Sequence, residues 1–213
     1  MNEEVSEKFF FDKNMHYYIC SYGGSGANLL SEYLSQFGNV YIIYSRNPPK
    51  KLSFINANSK WFNNVDINEH DIPKYKVIFI YKNPVNAIYN EFVTQYTYNK
   101  EHLANIQCDN NGNIRLLDVL RTKRDLYKIN EFFNNYTTRN KRNYQIFCIK
   151  YEDMWLPKNI EYLNKLLCVP NVPSMYPTTT QEIDKIGMYD EQLTSIYQPL
   201  IDKMKKMRYI EIV

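Results

Sequence analysis

The residues best suited to chemistry form a glycine run, Ser21-Tyr22-Gly23-Gly24-Ser25-Gly26-Ala27-Asn28. Glycine lets the backbone turn tightly and lets successive N–H groups converge on one spot. Helical spacing begins at Ala27, which adds unpaired N–H groups and the positive end of a helix dipole. Together these make a site the size of a phosphate or sulfate, to which Ser25 and Asn28 can add side-chain donors. The run is not a Walker A motif, which ends Gly-Lys-Ser/Thr, because Ala27-Asn28 follows Gly26. Nor is it G-x-G-x-x-G. A ligand-free turn explains it less well, since three glycines in four positions exceed what a plain turn needs. Proton transfer near neutral pH calls for histidine, and the chain has three: His16, His70 and His102. The cysteines (Cys20, Cys108, Cys148, Cys168) form no C-x-x-C pair and have no His at zinc-finger spacing, so no metal site is expected.

These residues must be held by an alternation of apolar runs and helical patterns, the signature of an α/β domain. His16–Ser21 (HYYICS) reads as a buried strand, and Ala27–Phe37 as a helix with Leu29, Leu30, Tyr33, Leu34 and Phe37 on one face. Val40–Tyr44 is a second strand. Residues 45–71, with Pro48-Pro49 and many Asn, read as loop with room for a short helix. Lys76–Tyr81 (KVIFIY) is the strongest strand; Asn83 caps a following helix, with Pro84 in its first turn. Asp109–Asn113 is a loop tip, and Leu116–Tyr136 reads as one long amphipathic helix with a solvated basic stretch at Arg121–Arg124. Tyr144–Lys150 is a strand, Asn159–Leu167 a helix, Tyr189–Met207 a helix and Tyr209–Val213 a short last strand. The expectation is one domain over residues 1–213: a three-layer α/β/α fold with a mainly parallel central sheet, and 1–14 as a peripheral segment.

Composition narrows the function classes. The chain has 213 residues, 44% hydrophobic and 23% charged, so it can bury a real core and is not a low-complexity chain. Lys+Arg 26 against Asp+Glu 23 leaves a net charge of +3, too little for bulk nucleic-acid binding. Mean hydropathy is −0.54, and no apolar stretch approaches the roughly 20 residues of a membrane span. The start, MNEEVSEKFFFDKN, lacks the apolar centre of a secretory signal. Cys20 and Cys148 sit in apolar strands as reduced small hydrophobes, which suits the cytoplasm. The 20 Tyr read as codon bias of an A+T-rich genome rather than as function.

Three segments, in order, resemble the cytosolic-type sulfotransferases. SYGGSGANLL is similar to that family's 5′-phosphosulfate loop, Y-P-K-S-G-T-T-W. Val77–Asn90 (VIFIYKNPVNAIYN) is similar to its 3′-phosphate segment, V-I-Y-x-x-R-N-P-x-D-x-x-x-S. Ile149–Met154 (IKYEDM) is similar to its L-R-Y-E-D-M/L. The likeness covers residues 16 to 168; beyond them, Lys185-Ile186-Gly187 stands where the family has R-K-G. The resemblance implies a P-loop-like α/β fold, the donor 3′-phosphoadenosine 5′-phosphosulfate (PAPS), the product 3′-phosphoadenosine 5′-phosphate (PAP), and metal-free transfer to a hydroxyl or amine. It implies that Gly23, Gly24, Ser25, Gly26, Ala27 and Asn28 wrap the 5′-phosphosulfate. Lys82 and Asn90 would hold the 3′-phosphate, Tyr151 would lie near the adenine, and Lys185 and Gly187 would close on the nucleotide. A base histidine precedes the 3′-phosphate strand in the family, which singles out His70.

The departures carry as much information. The family's loop lysine is Gly24 here, its threonine Ala27, its stacking tryptophan Leu29, its arginine Lys82, its serine Asn90, and the aspartate of its helix start Asn86. Losing a preorganised cation at a developing oxyanion costs on the order of 10²–10³ in rate. Arg46, Lys50 and Lys51 are candidate substitutes. Three readings follow: a PAPS-dependent sulfotransferase, a non-catalytic nucleotide- or glycan-binding relative, and another P-loop transferase or small-molecule kinase. The acceptor would be a small molecule, glycan or peptide, met by variable loops or completed by a second copy in a homodimer.

Overall fold

In the computed structural model, which describes residues 14–93, 114–171 and 187–213, the chain forms a five-stranded central sheet with helices on both faces. The elements are β1 (His16–Ser21), α1 (Ala27–Leu34), β2 (Asn39–Ile43), β3 (Ser53–Ile55), β4 (Trp61–Asp66), β5 (Tyr75–Tyr81) and α2 (Pro84–Ile88). Then come α3 (Leu116–Thr122), α4 (Ile129–Thr137), β6 (Ile146–Lys150), α5 (Tyr151–Met154), α6 (Pro157–Leu167), α7 (Asp190–Lys206) and β7 (Ile210–Ile212). The sheet order is β2-β1-β5-β6-β7; the first four strands are parallel and β7 runs antiparallel to β6.

The central strands are almost wholly apolar because both their faces are covered. Successive side chains alternate between the faces. Tyr18, Cys20, Val77, Phe79, Tyr81, Ile146 and Cys148 pack with α4 and α7 in one core cluster, where Phe79 stacks on Tyr136 at 4.8 Å. Tyr17, Ile19, Ile78, Ile80, Phe147 and Ile149 pack with α1 and α6 in the other. The buried tyrosines also contribute polar tips. Tyr17 donates to the Leu167 carbonyl at 3.2 Å, Tyr33 to Asn164 Oδ1 at 2.9 Å and Tyr22 to the Tyr127 carbonyl at 3.0 Å. Cys20 and Cys148 are free and buried, and burial pushes the Cys20 thiol up to about 12, so both are inert packing groups.

Two segments differ from the sequence reading. Residues 53–66 are an antiparallel hairpin, not loop: Ser53 pairs with Asp66 and Ile55 with Trp61. Its turn is built by Asn56, whose Oδ1 accepts from the N–H groups of Asn58 (2.9 Å) and Lys60 (3.1 Å), so an Asn-rich stretch hides a specific turn. The single helix expected over 116–136 is two helices, because Lys123 and Lys128 both adopt positive φ (53° and 59°). Asp125 organises the break. Its Oδ1 accepts from Ile129 N–H (3.1 Å) and from the Tyr197 hydroxyl (2.8 Å), and its Oδ2 from Asn130 N–H (2.8 Å). One carboxylate therefore ties the start of α4 to α7. Asp125→Ala should lower stability by about 2 kcal/mol, since three donors lose their acceptor at a largely buried site; thermal unfolding checks this. The expected loop tip at Asp109–Asn113 lies outside the described residues.

Candidate anion-binding site

The strand order places the glycine run at a reversal of the sheet. From β1 the chain moves outward to β2 and then returns to the other side of β1 as β5. In open α/β sheets this is the crevice, beyond the carboxyl ends of the strands, where ligands bind. Ser21 at the end of β1 lies beside Ile80, two residues before Lys82.

The run's backbone requires glycine at several points. Gly23, Gly24 and Gly26 have φ of 114°, 59° and 80°. A Cβ on Gly24 would stand 2.6 Å from the Ala87 carbonyl oxygen, and one on Gly26 would enter the Tyr151 ring. Gly26 caps α1 without a side-chain hydrogen bond, and no acid occupies the first turn. The N–H groups and dipole of this end therefore act outward, uncompensated by the helix itself. Ser25 is buried and donates to the Gly23 carbonyl at 3.0 Å, which fixes the loop, while Asn28 is exposed.

Lys82 leaves the end of β5 and is only 3% exposed, its ammonium 4.9 Å from the centre of the Tyr151 ring. Asn83 Oδ1 accepts from Val85 N–H at 3.0 Å and starts α2. The Asn83 N–H donates to Glu152 Oε1 at 2.7 Å, joining the ends of β5 and β6. Tyr151, the first residue of α5, packs over Gly26. Burial raises its hydroxyl's pKa, helped by Glu152. After Ile88 the helix widens into a π-helical turn, Tyr89–Val93, a form found often at functional sites. That turn holds the loop at Gly24. Asn90 Nδ2 donates to the Gly24 carbonyl at 3.3 Å. Glu91 is 9% exposed, and desolvation raises its pKa. The structure thus gathers Gly23 to Asn28, Lys82, Asn90 and Tyr151 at one edge. Beneath the loop, Ser25, Tyr81 and Lys82 line a cavity of about 10 Å³, too small for a ligand, so an anion must approach from outside.

Other expected residues are elsewhere. His70 is exposed and precedes β5, whose seven residues at about 3.3 Å each separate it by roughly 20 Å from the end that carries Lys82. His16 starts β1 at that same far edge, stacked on Tyr75 at 4.6 Å, and burial lowers its pKa. The structure therefore does not bring His70 to the loop, and His102 and Lys185 lie outside the described residues. Gly187 packs against Tyr89 and donates to Asp190 Oδ2 at 2.9 Å, joining the π-helical turn rather than the loop. None of the three candidate substitute cations reaches the loop. Arg46 pairs with Glu131 at 3.4 Å. Lys50 and Lys51 line an open groove of about 550 Å³ with Trp61 and Phe62, and Asn143, just before β6, donates to the Lys50 carbonyl at 3.3 Å. Glu91 was not anticipated; its one sequence signal is an acid four residues after Ala87, on the helix's apolar face.

Among the described residues no group of three His, Cys, Asp or Glu is arranged to hold a metal, and no helix is long and apolar enough to cross a membrane. Searches of family models, curated proteins and solved structures find no match to this chain.

Proposed function

We propose that this chain binds a phosphorylated adenine nucleotide through the glycine loop and transfers a sulfuryl group from PAPS to a hydroxyl or amine. The observation that carries this reading is the convergence, at the sheet's reversal, of the glycine loop with Lys82, Asn90 and Tyr151. They lie in the segments that resemble the sulfotransferases, with Lys82 and Asn90 standing where that family has Arg and Ser. In the proposed reaction the acceptor oxygen or nitrogen forms a bond to sulfur. The bond from sulfur to the bridging oxygen breaks, PAP leaves with that electron pair, and the acceptor's proton passes to a base. The loop N–H groups and the α1 dipole would hold the charge on the 5′ side. Lys82 would supply positive charge from beneath Tyr151, as a point charge rather than a fork. His16 and His70 lie at the sheet edge opposite the glycine loop. The buried free thiols fit a reducing, cytoplasmic setting.

A second reading, nucleotide binding without turnover, is favoured by a specific feature. Gly24 stands where a catalytic lysine would act, and Lys82 is buried under a ring. Mixing the protein with labelled PAPS and a panel of hydroxyl and amine acceptors separates the two. Labelled product supports transfer; saturable PAP binding with no product supports the binding-only reading.

A further inference from the structure

We propose that the groove walled by Pro49, Lys50, Lys51 and the β3–β4 hairpin is a ligand site distinct from the glycine loop, and that it takes an organic monoanion with a flat ring. The inference goes beyond the nucleotide reading and stands without it, because the groove's lysine wall lies at the other edge of the sheet. Asn143, just before β6, holds the segment that carries both lysines. Its N–H donates to the Lys50 carbonyl at 3.3 Å, and its Oδ1 accepts from Leu52 N–H at 2.9 Å. The Tyr144 hydroxyl donates to the Pro49 carbonyl at 2.6 Å, and Ile67 N–H donates to the Leu52 carbonyl at 2.8 Å. These hydrogen bonds fix the wall before any ligand arrives, which spares a ligand the cost of ordering it. β6 runs parallel to β5 and β1, so its start faces away from the glycine loop. Its five residues at about 3.3 Å each put roughly 16 Å between the two edges.

The groove's volume of about 550 Å³ suits a small molecule, and its lining selects the chemistry. Lys51 is paired with Asp66 at 3.7 Å, whereas Lys50 has no ion-pair partner among the described residues. Two ammonium groups and one carboxylate leave a net charge of +1, which a single negative charge balances. Phe62 is 47% exposed beside these lysines and offers a ring face, while Trp61 next to it is buried against Tyr18, ring centres 5.6 Å apart. Ser53 supplies a polar group to fix orientation. It lines the groove, is 3% exposed, and its hydroxyl has no hydrogen-bond partner. Folded proteins rarely leave a buried hydroxyl unpaired, and an oxygen of a bound sulfate or carboxylate would accept its proton. An aryl sulfate and an aryl carboxylate share this chemistry: the charged head meets Lys50 and Ser53, and the ring meets Phe62.

The test titrates the full chain by calorimetry with phenyl sulfate and with benzoate, beside inorganic sulfate (charge without a ring) and benzyl alcohol (ring without a charge). One of the aryl anions should bind saturably at millimolar concentration or below, about tenfold more tightly than inorganic sulfate or benzyl alcohol. Which aryl anion binds distinguishes a sulfate head from a carboxylate head. Lys50 and Phe62 are exposed, so the fold should tolerate Lys50→Gln and Phe62→Ser, and each should weaken that binding about tenfold. Ser53→Ala should weaken it about fivefold with no loss of thermal stability, because the hydroxyl has no partner within the protein to lose. No saturable binding of either aryl anion, or binding that the Lys50 and Phe62 variants leave unchanged, would overturn the proposal. Equal affinity for inorganic sulfate or benzyl alcohol would overturn it too. Aryl-anion binding without any PAP binding would support this site and reject the nucleotide reading.

Discussion

Gly26→Val should abolish ligand binding and lower stability by about 3 kcal/mol. Gly26 has a φ of 80°, a conformation a β-branched residue adopts only under strain. Its new side chain would also enter the Tyr151 ring. The ring must then move, and with it the contact that covers Lys82 at 4.9 Å. Backbone strain and ring displacement separate in a double variant. Adding Tyr151→Ala removes the collision but not the strained φ, so stability should recover in part while binding stays lost. Full recovery of binding in the double variant would mean that the loop's backbone shape is not what holds the ligand. Thermal unfolding and calorimetric titration with PAP read the two quantities.

Lys82→Met should weaken PAP binding by about a hundredfold or more, the cost of losing a desolvated cation opposite an anion. The fold should survive it. Methionine matches the lysine stem and fills the same space beside the Tyr151 ring. A cooperative unfolding transition that is kept, together with lost affinity, is therefore the expected signature. Lys82→Arg keeps the charge but must fit a planar fork under the Tyr151 ring, and should fall between the two. If Lys82→Met binds PAP as wild type does, Lys82 serves packing alone and the site's cation lies elsewhere.

The core was legible in the sequence wherever one physical signal dominated. The apolar runs of β1, β5 and β6 read as strands because nothing polar interrupts them, and the mainly parallel sheet followed from helices between them. Asn83 and Pro84 marked the start of α2 through their own local chemistry. The hairpin at 53–66 was hidden because the Asn residues that make its turn are also loop formers. The split between α3 and α4 was hidden because Lys123 and Lys128 take positive φ, which lysine does not advertise. The glycine loop and Lys82 could be paired from sequence, since both follow strong strands and parallel strands end at one edge. By the same logic a residue before β5 belongs at the opposite edge. His70's place there becomes evident only once β1 and β5 are seen to run parallel in register. Glu91 left one faint signal, an acid on an apolar helix face, because a π-helical turn changes which residues share a face and the sequence does not announce it.

The central claim, that the glycine loop with Lys82 is a nucleotide site, is tested most directly by titrating the full chain with PAP without magnesium and following thermal unfolding. A single saturable site should stabilise the fold by about 2.7 kcal/mol at a hundred times Kd, with the gain largely lost in Lys82→Met. No saturable stabilisation at millimolar PAP would contradict the account, as would an equal gain in Lys82→Met.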